Sequence, residues 1–246
     1  MTLTELRELL AQAIKDTEFE SHTYFAGGCV RDFLLNPETT IIEADIAVEL
    51  PEGGIKLAYF LQEKFNTTAP VIHKSFGTAK MTINNIKIEL VMTRSEKYPP
   101  GKRHPYVQFA DLYTDCLRRD FTINALYQEI MTGKILDPCQ KGYQDLQARV
   151  IRSVQDPLHS FAEDPLRILR ALRFAVTLDF EISPETLSAI KTNAHLVSTL
   201  SNNRCSDEYS RIKKLSPEQI AHWKKLLEET GVLTYLKTRI PELTKL

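Results

Sequence analysis

The sequence predicts an α+β protein, in which a mixed β-sheet with helices on one face is followed by an all-helical neck and a short body. Strand-like and helix-like segments alternate from Thr23 to about residue 140, and no strand signal follows about residue 155. This order of elements is typical of a sheet domain joined to a helical one. We therefore expect a head domain at residues 1–140 and a helical neck and truncated body at residues 141–246.

The composition is that of an ordinary globular protein. The 246 residues are 43% hydrophobic and 26% charged, and the net charge of −1 means that nucleic acid must be bound by a local patch. The four cysteines have no C-x-x-C spacing, which predicts free thiols in a reducing compartment. Residues 1–15 mix charges with leucines, so we expect a cytoplasmic protein without a membrane partner.

Apolar spacing predicts two further helices in the head. Leu6, Leu10 and Ala13 follow helical spacing after Thr4, which is a suitable N-cap. Residues 54–65 show the same kind of apolar spacing. We expect both helices to pack against the sheet.

A glycine turn gives the first functional signal. Residues 23–26 predict a strand that runs into Gly27 and Gly28, and a helix opens there. Glycine lets the backbone approach a ligand closely, and the helix N-terminus presents free N–H groups with a positive dipole end. Arg31 adds a planar cation suited to phosphate. The turn therefore predicts a phosphate site that includes Gly28 and Arg31.

Carboxylates give the second signal. Glu43 and Asp45 are two residues apart in a predicted strand at residues 41–50, so both project from one face. Mg²⁺ typically takes one or two carboxylates and completes its shell with water and phosphates, and it lowers the pKa of an attacking hydroxyl. A solvated strand face beside a structural turn is the alternative for either signal taken alone.

A hairpin supplies a third acidic candidate. Residues 78–82 and 86–92 read as strands joined at Asn84 and Asn85, a dipeptide that tolerates positive φ. The alternation in the second strand points Glu89 away from the apolar face, where it could join Glu43 and Asp45. An exposed strand glutamate is the alternative.

Two later segments of the head carry clustered cations. Residues 98–105 are rich in Pro and Gly and form a predicted loop whose Lys102, Arg103 and His104 could meet a triphosphate or an RNA backbone, although a solvated loop is the alternative. Residues 117–126 predict a helix that carries Arg118 and Arg119, a pair suited to a polyanion.

The neck carries a further signal in residues 163–174. Asp164 is predicted as the N-cap of a helix, and Arg167 and Arg170 follow at helical spacing, so an acceptor stands beside guanidinium donors. Asp and Arg present complementary patterns that suit the Watson–Crick edge of a base. A plain helix cap is the alternative for Asp164.

These segments resemble the motifs of the class II tRNA nucleotidyltransferase and bacterial poly(A) polymerase family. Residues 27–32 (GGCVRD) resemble its G-G-x-V-R-D motif, residues 118–125 (RRDFTINA) its R-R-D-F-T-I-N-A motif, and residues 163–167 (EDPLR) its E-D-x-x-R motif. Residues 43–45 (EAD) stand where the family carries D-x-D, so Glu43 replaces an aspartate. The resemblance covers about residues 20–210 and implies a polymerase-β-like nucleotidyltransferase head.

The resemblance also implies roles for individual residues. It implies that Mg²⁺ binds at Glu43 and Asp45, with Glu89 as a further acidic residue of the catalytic set, and that residues 98–105 form the family's flexible loop. Residues 201–205 resemble its S-x-E-R-I motif only weakly, because Asn203 replaces the Glu, and no function is carried over. The nucleotide contacts that it implies beyond the glycine turn are Arg119, Asp164, Arg167, Arg170 and Arg173.

We therefore expect a template-independent, Mg²⁺-dependent RNA nucleotidyltransferase that adds C and/or A to the tRNA 3′ end from CTP and ATP. A poly(A) polymerase, or an enzyme restricted to C or to A, is the first alternative. A degenerate, non-catalytic nucleotide- or RNA-binding protein is the second, favoured by Glu43 and the short C-terminal region. With that region short, we expect that RNA binding is weak, that a homo-oligomer or another partner supplies it, or that the chain is a truncated form.

Overall fold

The computed structural model of the protein describes residues 1–97, 106–240 and 242–243. The predicted cationic loop at residues 98–105 lies outside them. The chain divides into two compact units, the first formed by residues 1–119 and 123–143, the second by residues 120–122 and 144–246. The sequence predicts a single boundary at residue 140. It does not predict that residues 120–122, from within the head sequence, belong to the second unit.

The first unit contains a seven-stranded sheet and the helices that pack on it. In the described residues its helices are α1 (Leu3–Ile14), α2 (Gly28–Leu35), α3 (Gly53–Phe65) and α4 (Leu112–Leu117). Its strands are β1 (Thr23–Ala26), β2 (Glu43–Val48), β3 (Val71–His73), β4 (Thr78–Ile83), β5 (Ile86–Met92), β6 (Arg94–Lys97), β7 (Tyr106–Phe109), β8 (Tyr127–Glu129) and β9 (Ile135–Leu136).

The sheet is mixed, as predicted. Its strand order is β3-β4-β5-β2-β1-β8-β9, while β6 and β7 form a separate antiparallel pair. Strands β2 and β5 run parallel, and the other neighbours in the large sheet run antiparallel. The predicted hairpin between β4 and β5 is confirmed, because Asn84 and Asn85 both adopt positive φ, at 47° and 65°.

One face of the sheet is apolar and is covered by α3. Ile46, Ile88 and Leu90 are buried, and α3 packs against β2, β4 and β5. The contact is close, since a Cβ at Gly54 would lie 2.7 Å from the backbone oxygen of Leu90. Side chains alternate along a strand, so the opposite face of β2 and β5 carries Asp45 and Glu89. This opposite face is the open face of the sheet, and it positions the candidate site.

The N-terminal helix differs from the prediction in its start. α1 begins at Leu3, and its N-cap is Thr2, whereas the sequence pattern predicts Thr4. The reason is a capping box: the Thr2 hydroxyl accepts a hydrogen bond from the Glu5 N–H, and the Glu5 carboxylate accepts one from the Thr2 N–H. Leu6 and Leu10 are buried, as the helical spacing predicts.

The second unit is mostly helical. α5 (Gly142–Gln147) lies at the sequence junction of the two units, and the helices that follow are α6 (Pro157–Glu163), α7 (Leu166–Leu178), α8 (Pro184–Asn193), α9 (Asn202–Ile212), α10 (Pro217–Glu229) and α11 (Val232–Leu236). The expectation of no strand after about residue 155 is wrong at one place, because β10 (Val150–Ile151) pairs in parallel with β11 (Glu181–Ile182). A two-residue strand leaves no alternating pattern in the sequence.

The start of α7 differs from the prediction as well, and it lies one residue later than expected. Pro165 occupies its N-cap position, and Asp164 is the C-cap of α6. The Asp164 carboxylate nevertheless accepts a hydrogen bond from the Leu166 N–H at 3.2 Å, so it still stabilises the start of the helix. None of the helices in the described residues is long and apolar enough to cross a membrane.

Candidate active site

A row of three charged side chains crosses the open face of the sheet. Asp45 on β2 is in register with Glu89 on β5, and Glu89 is in register with Lys80 on β4. The Lys80 ammonium lies 3.2 Å from the Glu89 carboxylate. Glu43 is in register with Lys87, one step along the same face. The structure therefore places Glu89 beside Asp45, with Glu43 on the next row.

A cavity of about 240 Å³ opens beside Asp45. It is lined by the two sheet carboxylates together with a cluster of arginines and a buried acid. Glu43 is not part of its lining. The charged residues that line it are Asp45, Glu89, Arg94, Asp115, Arg118 and Arg119. A polar cavity with acidic and guanidinium groups side by side suits a ligand that combines a cation with phosphates.

The electrostatic setting of Asp45 is unfavourable to its charged form. Asp45 keeps contact with solvent, but burial within the concave site raises its pKa to about 6, and the neighbouring Glu89 and Glu43 carboxylates add to the rise. Arg119 and Lys80 act in the opposite direction. Crowded carboxylates of this kind favour a bound cation, because the cation relieves their mutual repulsion.

The donor set is compatible with magnesium. Within the described residues, no group of three or more His, Cys, Asp or Glu side chains is arranged to hold a metal ion. Mg²⁺ does not require such a group, since it binds through one or two carboxylates and takes its remaining ligands from water and substrate phosphates. Asp45, with Glu43 and Glu89 as its acidic neighbours, fits this mode of binding.

The glycine turn requires Gly27. Gly27 follows β1 with φ of 74°, in the left-handed region that disfavours other residues, and it is the N-cap of α2. A Cβ at this position would lie 3.2 Å from Arg119 Nη1 and 3.9 Å from Asp45 Oδ2. A Cβ at Gly28 would only make ordinary contact with Arg31, at 3.6 Å. The predicted Gly28 is thus less constrained than Gly27, where an added Cβ would approach both charged groups.

Arg31 is held inside the first unit. Its side chain is only 8% exposed, Nη1 donates to the Asn124 side chain at 2.6 Å, and Nε donates to Asp32 at 2.8 Å. These contacts tie α2 to the segment that follows Arg119. The structure therefore shows Arg31 bracing the turn, and its binding of phosphate stays a prediction.

Asp115 organises the arginine pair. Arg118 donates to Asp115 Oδ1 at 2.7 Å and Arg119 donates to Oδ2 at 3.0 Å, while the Tyr127 hydroxyl donates to Oδ2 at 2.7 Å. Burial alone would raise the pKa of Asp115, but the Arg119 and Arg118 guanidinium groups outweigh it and hold the pKa well below its usual range. Asp115 was missed in the sequence. The signal was its spacing of three and four residues from the two arginines.

The segment around the arginines is not the continuous helix that its pattern predicts. α4 ends at Leu117, and a 3₁₀ turn follows at Thr122–Asn124. Phe121 instead forms a β-bridge with Ser153 and belongs to the second unit, and the chain returns to the first unit at Ile123. Thr, Ile and Asn are weak helix formers, so a bridge to a distant segment prevails here.

Two of the predicted base-reading residues in the second unit lie where α6 meets α7: Asp164 is the C-cap of α6, and Arg167 lies in the first turn of α7. The Asp164 carboxylate accepts from Arg204 Nη2 at 2.9 Å. Arg167 Nη1 donates to the Ser160 hydroxyl at 2.7 Å, and the arginine is mostly buried. Arg204 was not predicted to have a function. It belongs to residues 201–205, the segment that resembles the family motif only weakly. Both predicted residues thus have fixed partners.

Arg170 and Arg173 are held by acids. Arg170 donates to Asp120 at 2.7 Å, and Arg173 donates to Glu208 at 2.6 Å. Glu208 is buried, was not predicted, and also lies 3.9 Å from Arg170. The Arg173 guanidinium lies 4.2 Å from the Phe174 ring centroid. The structure places Arg173 in a buried ion pair, so its contact with nucleotide stays a prediction.

A mixed sheet with a glycine turn, facing carboxylates and an arginine pair defines a nucleotidyltransferase-type head. The poly A polymerase head domain family matches residues 23–152. Residues 179–246 match a second family, described as the probable RNA and SrmB- binding site of polymerase A. The chain therefore belongs to the class II tRNA nucleotidyltransferase and poly(A) polymerase family.

Relatives of known name are similar over most of this chain. The CCA-adding enzyme of Geobacillus sp. (strain WCH70) is 36% identical over 92% of this chain and 53% of its own length. The A-adding tRNA nucleotidyltransferase of Aquifex aeolicus is 40% identical over 70% of this chain and 20% of its own length. The structure of the Bacillus stearothermophilus CCA-adding enzyme in complex with CTP aligns with a TM-score of 0.75 and 28% identity, over 96% of this chain and 54% of that one. This chain spans about half the length of both CCA-adding enzymes.

Proposed function

We propose that the protein is a template-independent nucleotidyltransferase that adds C and/or A to the 3′ end of tRNA from CTP and ATP. The observation that carries the proposal is the pairing of Asp45 with Glu89 on the open face, next to the Gly27 turn and Arg119. Membership of the family supports the same reaction. An acidic group and a guanidinium held beside one glycine are suited to a nucleoside triphosphate and the cation that accompanies it.

In the proposed reaction the RNA 3′-hydroxyl loses its proton to solvent, and its oxygen forms a bond to the α-phosphorus of the triphosphate. The bond from that phosphorus to the oxygen bridging to the β-phosphate breaks, and pyrophosphate leaves. Negative charge spreads over the phosphate oxygens in the transition state, so catalysis depends on positioning and fixed positive charge. Arg119 and the N–H groups at the start of α2 supply such charge to the phosphates in this proposal.

Asp45 is the acidic group nearest to this chemistry. Together with Glu43 and with Glu89 as a further acidic residue it would hold Mg²⁺, which when bound lowers the pKa of the hydroxyl and offsets phosphate charge. Asp115 keeps Arg119 in place, because it pairs with the guanidinium while Tyr127 completes its hydrogen bonding. In this proposal Gly28 and Arg31 bind the phosphates, and the contacts of Arg31 with Asn124 and Asp32 also brace the turn.

The second unit would select the base. Asp164 offers carboxylate acceptors, and Arg167 offers donors that the Ser160 hydroxyl holds in position. Arg170 is positioned by Asp120 in the same way, and Arg173 by Glu208. Guanidinium groups that are fixed before the ligand arrives lose less entropy on binding, which favours discrimination between bases.

An enzyme that adds only A is the second candidate, because the named relatives include an A-adding enzyme as well as CCA-adding enzymes. A cytoplasmic location is part of the proposal, and the four free cysteines are consistent with a reducing compartment. A homo-oligomer that binds tRNA with more than one copy of the chain is a further part of the proposal.

The test uses purified full-length chain, Mg²⁺ and tRNA transcripts that lack the CCA end or stop after its first or second C. Labelled CTP and ATP are supplied separately and together. The proposal predicts extension with release of pyrophosphate, and the pattern of products separates CCA addition from C-only or A-only addition and from poly(A) synthesis. Asp45→Ala should abolish transfer while CTP and ATP binding persists. Absence of extension on every transcript would contradict the proposal.

Glu43 needs a separate comparison. It does not line the cavity, and in register it faces Lys87, so we expect it to support Asp45 rather than replace it. Glu43→Asp should therefore leave activity equal or lower. A large activation by this substitution would indicate a crippled native site and favour the degenerate, binding-only alternative.

A further inference from the structure

Lys80 lies on the open face beyond the acidic pair from the glycine turn, and Lys87 lies on the same face of β5, two residues before Glu89. In the strand order, β1 with its turn lies on one side of β2, and β5 and β4 lie on the other. Lys80 on β4 is in register with Glu89, and Lys87 on β5 is in register with Glu43. The Lys80 side chain is 54% exposed. Asp45 thus lies between the Gly27 turn and these lysines.

The chemistry of the proposed reaction assigns the two sides. In phosphoryl transfer the attacking and leaving oxygens are roughly in line on opposite sides of the phosphorus. Gly27 and Arg119 lie on the β1 side of Asp45, where the proposed function puts the triphosphate and its leaving pyrophosphate. The attacking 3′-hydroxyl then approaches from the side of β5 and β4, which is the side of the lysines.

We propose that Lys80 and Lys87 bind backbone phosphates of the last nucleotides of the RNA acceptor strand. This inference rests on the proposed function and names the path of its RNA substrate. Neighbouring strands are about 4.8 Å apart, so Lys80 is roughly 10 Å from Asp45 across two strands. This separation is of the same order as the distance from the terminal 3′-hydroxyl of an RNA strand to the phosphates that precede it by one or two nucleotides. Lysine is a flexible point charge that contacts the backbone without reading sequence.

Glu89 has a positioning role in this arrangement. Its ion pair with Lys80 is solvent-exposed on both sides, and exposed pairs contribute about 0–1 kcal/mol to folding. The pair is therefore a weak stabiliser of the sheet, but it orients the ammonium over the open face. Lys80 also lowers the pKa of Asp45, although burial and the two glutamates outweigh it.

The test measures binding of a tRNA transcript that lacks its CCA end to the full chain, at several salt concentrations and without nucleotide. Lys80→Ala and Lys87→Ala should each weaken binding severalfold. The slope of log K against log salt should fall by about 0.7–0.9 for each lysine, the contribution of one phosphate contact, and by about twice that in the double variant. Lys80→Arg and Lys87→Arg keep the charge and should restore both quantities.

The matched control is Lys56→Ala. Lys56 is an exposed lysine of α3, the helix that covers the opposite face of the sheet, so its removal changes the net charge equally. It should leave tRNA affinity and salt slope close to those of the unsubstituted protein. Circular dichroism and thermal unfolding of each variant show that the fold is kept, and glutamine replaces alanine at any of these positions whose alanine variant fails this check.

Three results would overturn the inference. The first is a salt slope for the lysine variants equal to that of Lys56→Ala. The second is weakened CTP or ATP binding with unchanged tRNA binding, which would put the triphosphate on the lysine side. The third is loss of affinity that arginine does not restore. The binding measurement needs no turnover, so it is separate from the extension assay. If the protein extends tRNA but the lysine variants leave tRNA affinity and salt slope unchanged, the proposed function is kept and only this inference is lost.

Discussion

Asp45 and Glu89 face each other across the parallel pairing of β2 and β5. Like charges on adjacent strands destabilise a sheet, so this arrangement is unfavourable for folding by itself. Carboxylates gathered in a cleft with a raised pKa are typical of functional sites, where stability is given up for binding. The pair is therefore best tested by variants that separate stability from activity.

Asp45→Asn should stabilise the protein while removing activity. The amide has the shape of the acid but is not repelled by Glu89 and Glu43. At pH 8, in a chelator, we expect the melting temperature to rise by roughly 1–3 °C, the scale of less than 1 kcal/mol in a chain of this length. Arg119 and Lys80 also face Asp45 and reduce the gain.

The same variant has a defined pH dependence. The folded-state pKa of Asp45 is raised from 3.8 to about 6, so the charged acid is disfavoured in the folded state above that pH. As pH falls from about 6 to about 4, the folded protein takes up this proton and the difference between variant and parent shrinks to zero. A gap in melting temperature that stays constant from pH 8 to pH 4 would contradict the assignment.

Gly27→Ala and Gly28→Ala form a matched pair of substitutions. Gly27 has positive φ and its new Cβ would crowd Arg119 at 3.2 Å, so we expect a loss of about 1–3 kcal/mol and lower nucleotide affinity. Gly28→Ala meets only ordinary contacts in the first turn of α2 and should change stability by less than about 1 kcal/mol. Chemical denaturation and CTP titration check both. Equal effects of the two substitutions would show that the turn is not constrained as described.

Asp115→Asn should be strongly destabilising. Asp115 is 1% exposed and pairs with Arg118 and Arg119, and removal of one partner of a buried ion pair costs about 3–5 kcal/mol. The control is Asp111→Asn, at the exposed N-cap of the same helix, where asparagine caps as well as aspartate. Urea unfolding should separate the two clearly. A loss below about 1 kcal/mol for Asp115→Asn would refute its anchoring role.

Glu208→Gln tests the corresponding pair in the second unit. The substitution removes the charge that faces the buried Arg173 guanidinium, so we expect a loss of about 3 kcal/mol. Asp207→Asn, on the exposed side of the same helix, should stay within about 0.5 kcal/mol of the parent. If the two variants unfold at the same urea concentration, the Arg173–Glu208 pair does not hold α7 and α9 together.

Arg167→Ala tests base selection. Loss of its donors should reduce discrimination between CTP and ATP more than it weakens triphosphate binding, because the proposed contacts are to the base edge. Arg167→Lys keeps the charge but loses the planar fork, and it should be intermediate. The ratio of kcat/KM for CTP and ATP on defined tRNA ends is the measurement. Retained discrimination in Arg167→Ala would exclude this role.

Local chemistry in the sequence predicts much of the head. The dipeptide at Asn84 and Asn85 forms the turn because both residues tolerate positive φ, and the alternation in β5 correctly puts Glu89 on the open face. The glycine pair marks the turn, but only the backbone shows that Gly27 carries the positive φ. Patterns of this kind are local, so a single sequence can reveal them.

The parts that were missed depend on long-range contacts. Asp115 matters because Tyr127, twelve residues away on β8, completes its hydrogen bonding, and Glu208 matters because it faces Arg173 from another helix. The register that sets Asp45 beside Glu89 arises from parallel pairing of strands far apart in sequence. Propensity and spacing do not specify such pairings.

The assignment of residues 120–122 to the second unit limits how the protein can be dissected. Phe121 is fully buried and packs edge-on against Phe174, and Asp120 binds Arg170. A fragment that stops at residue 143 would carry this tripeptide away from its partners, and a fragment that starts at residue 144 would lack an aromatic side chain from its interior. Separately expressed halves are therefore expected to be insoluble or molten, and complementation would require both pieces to be present while they fold.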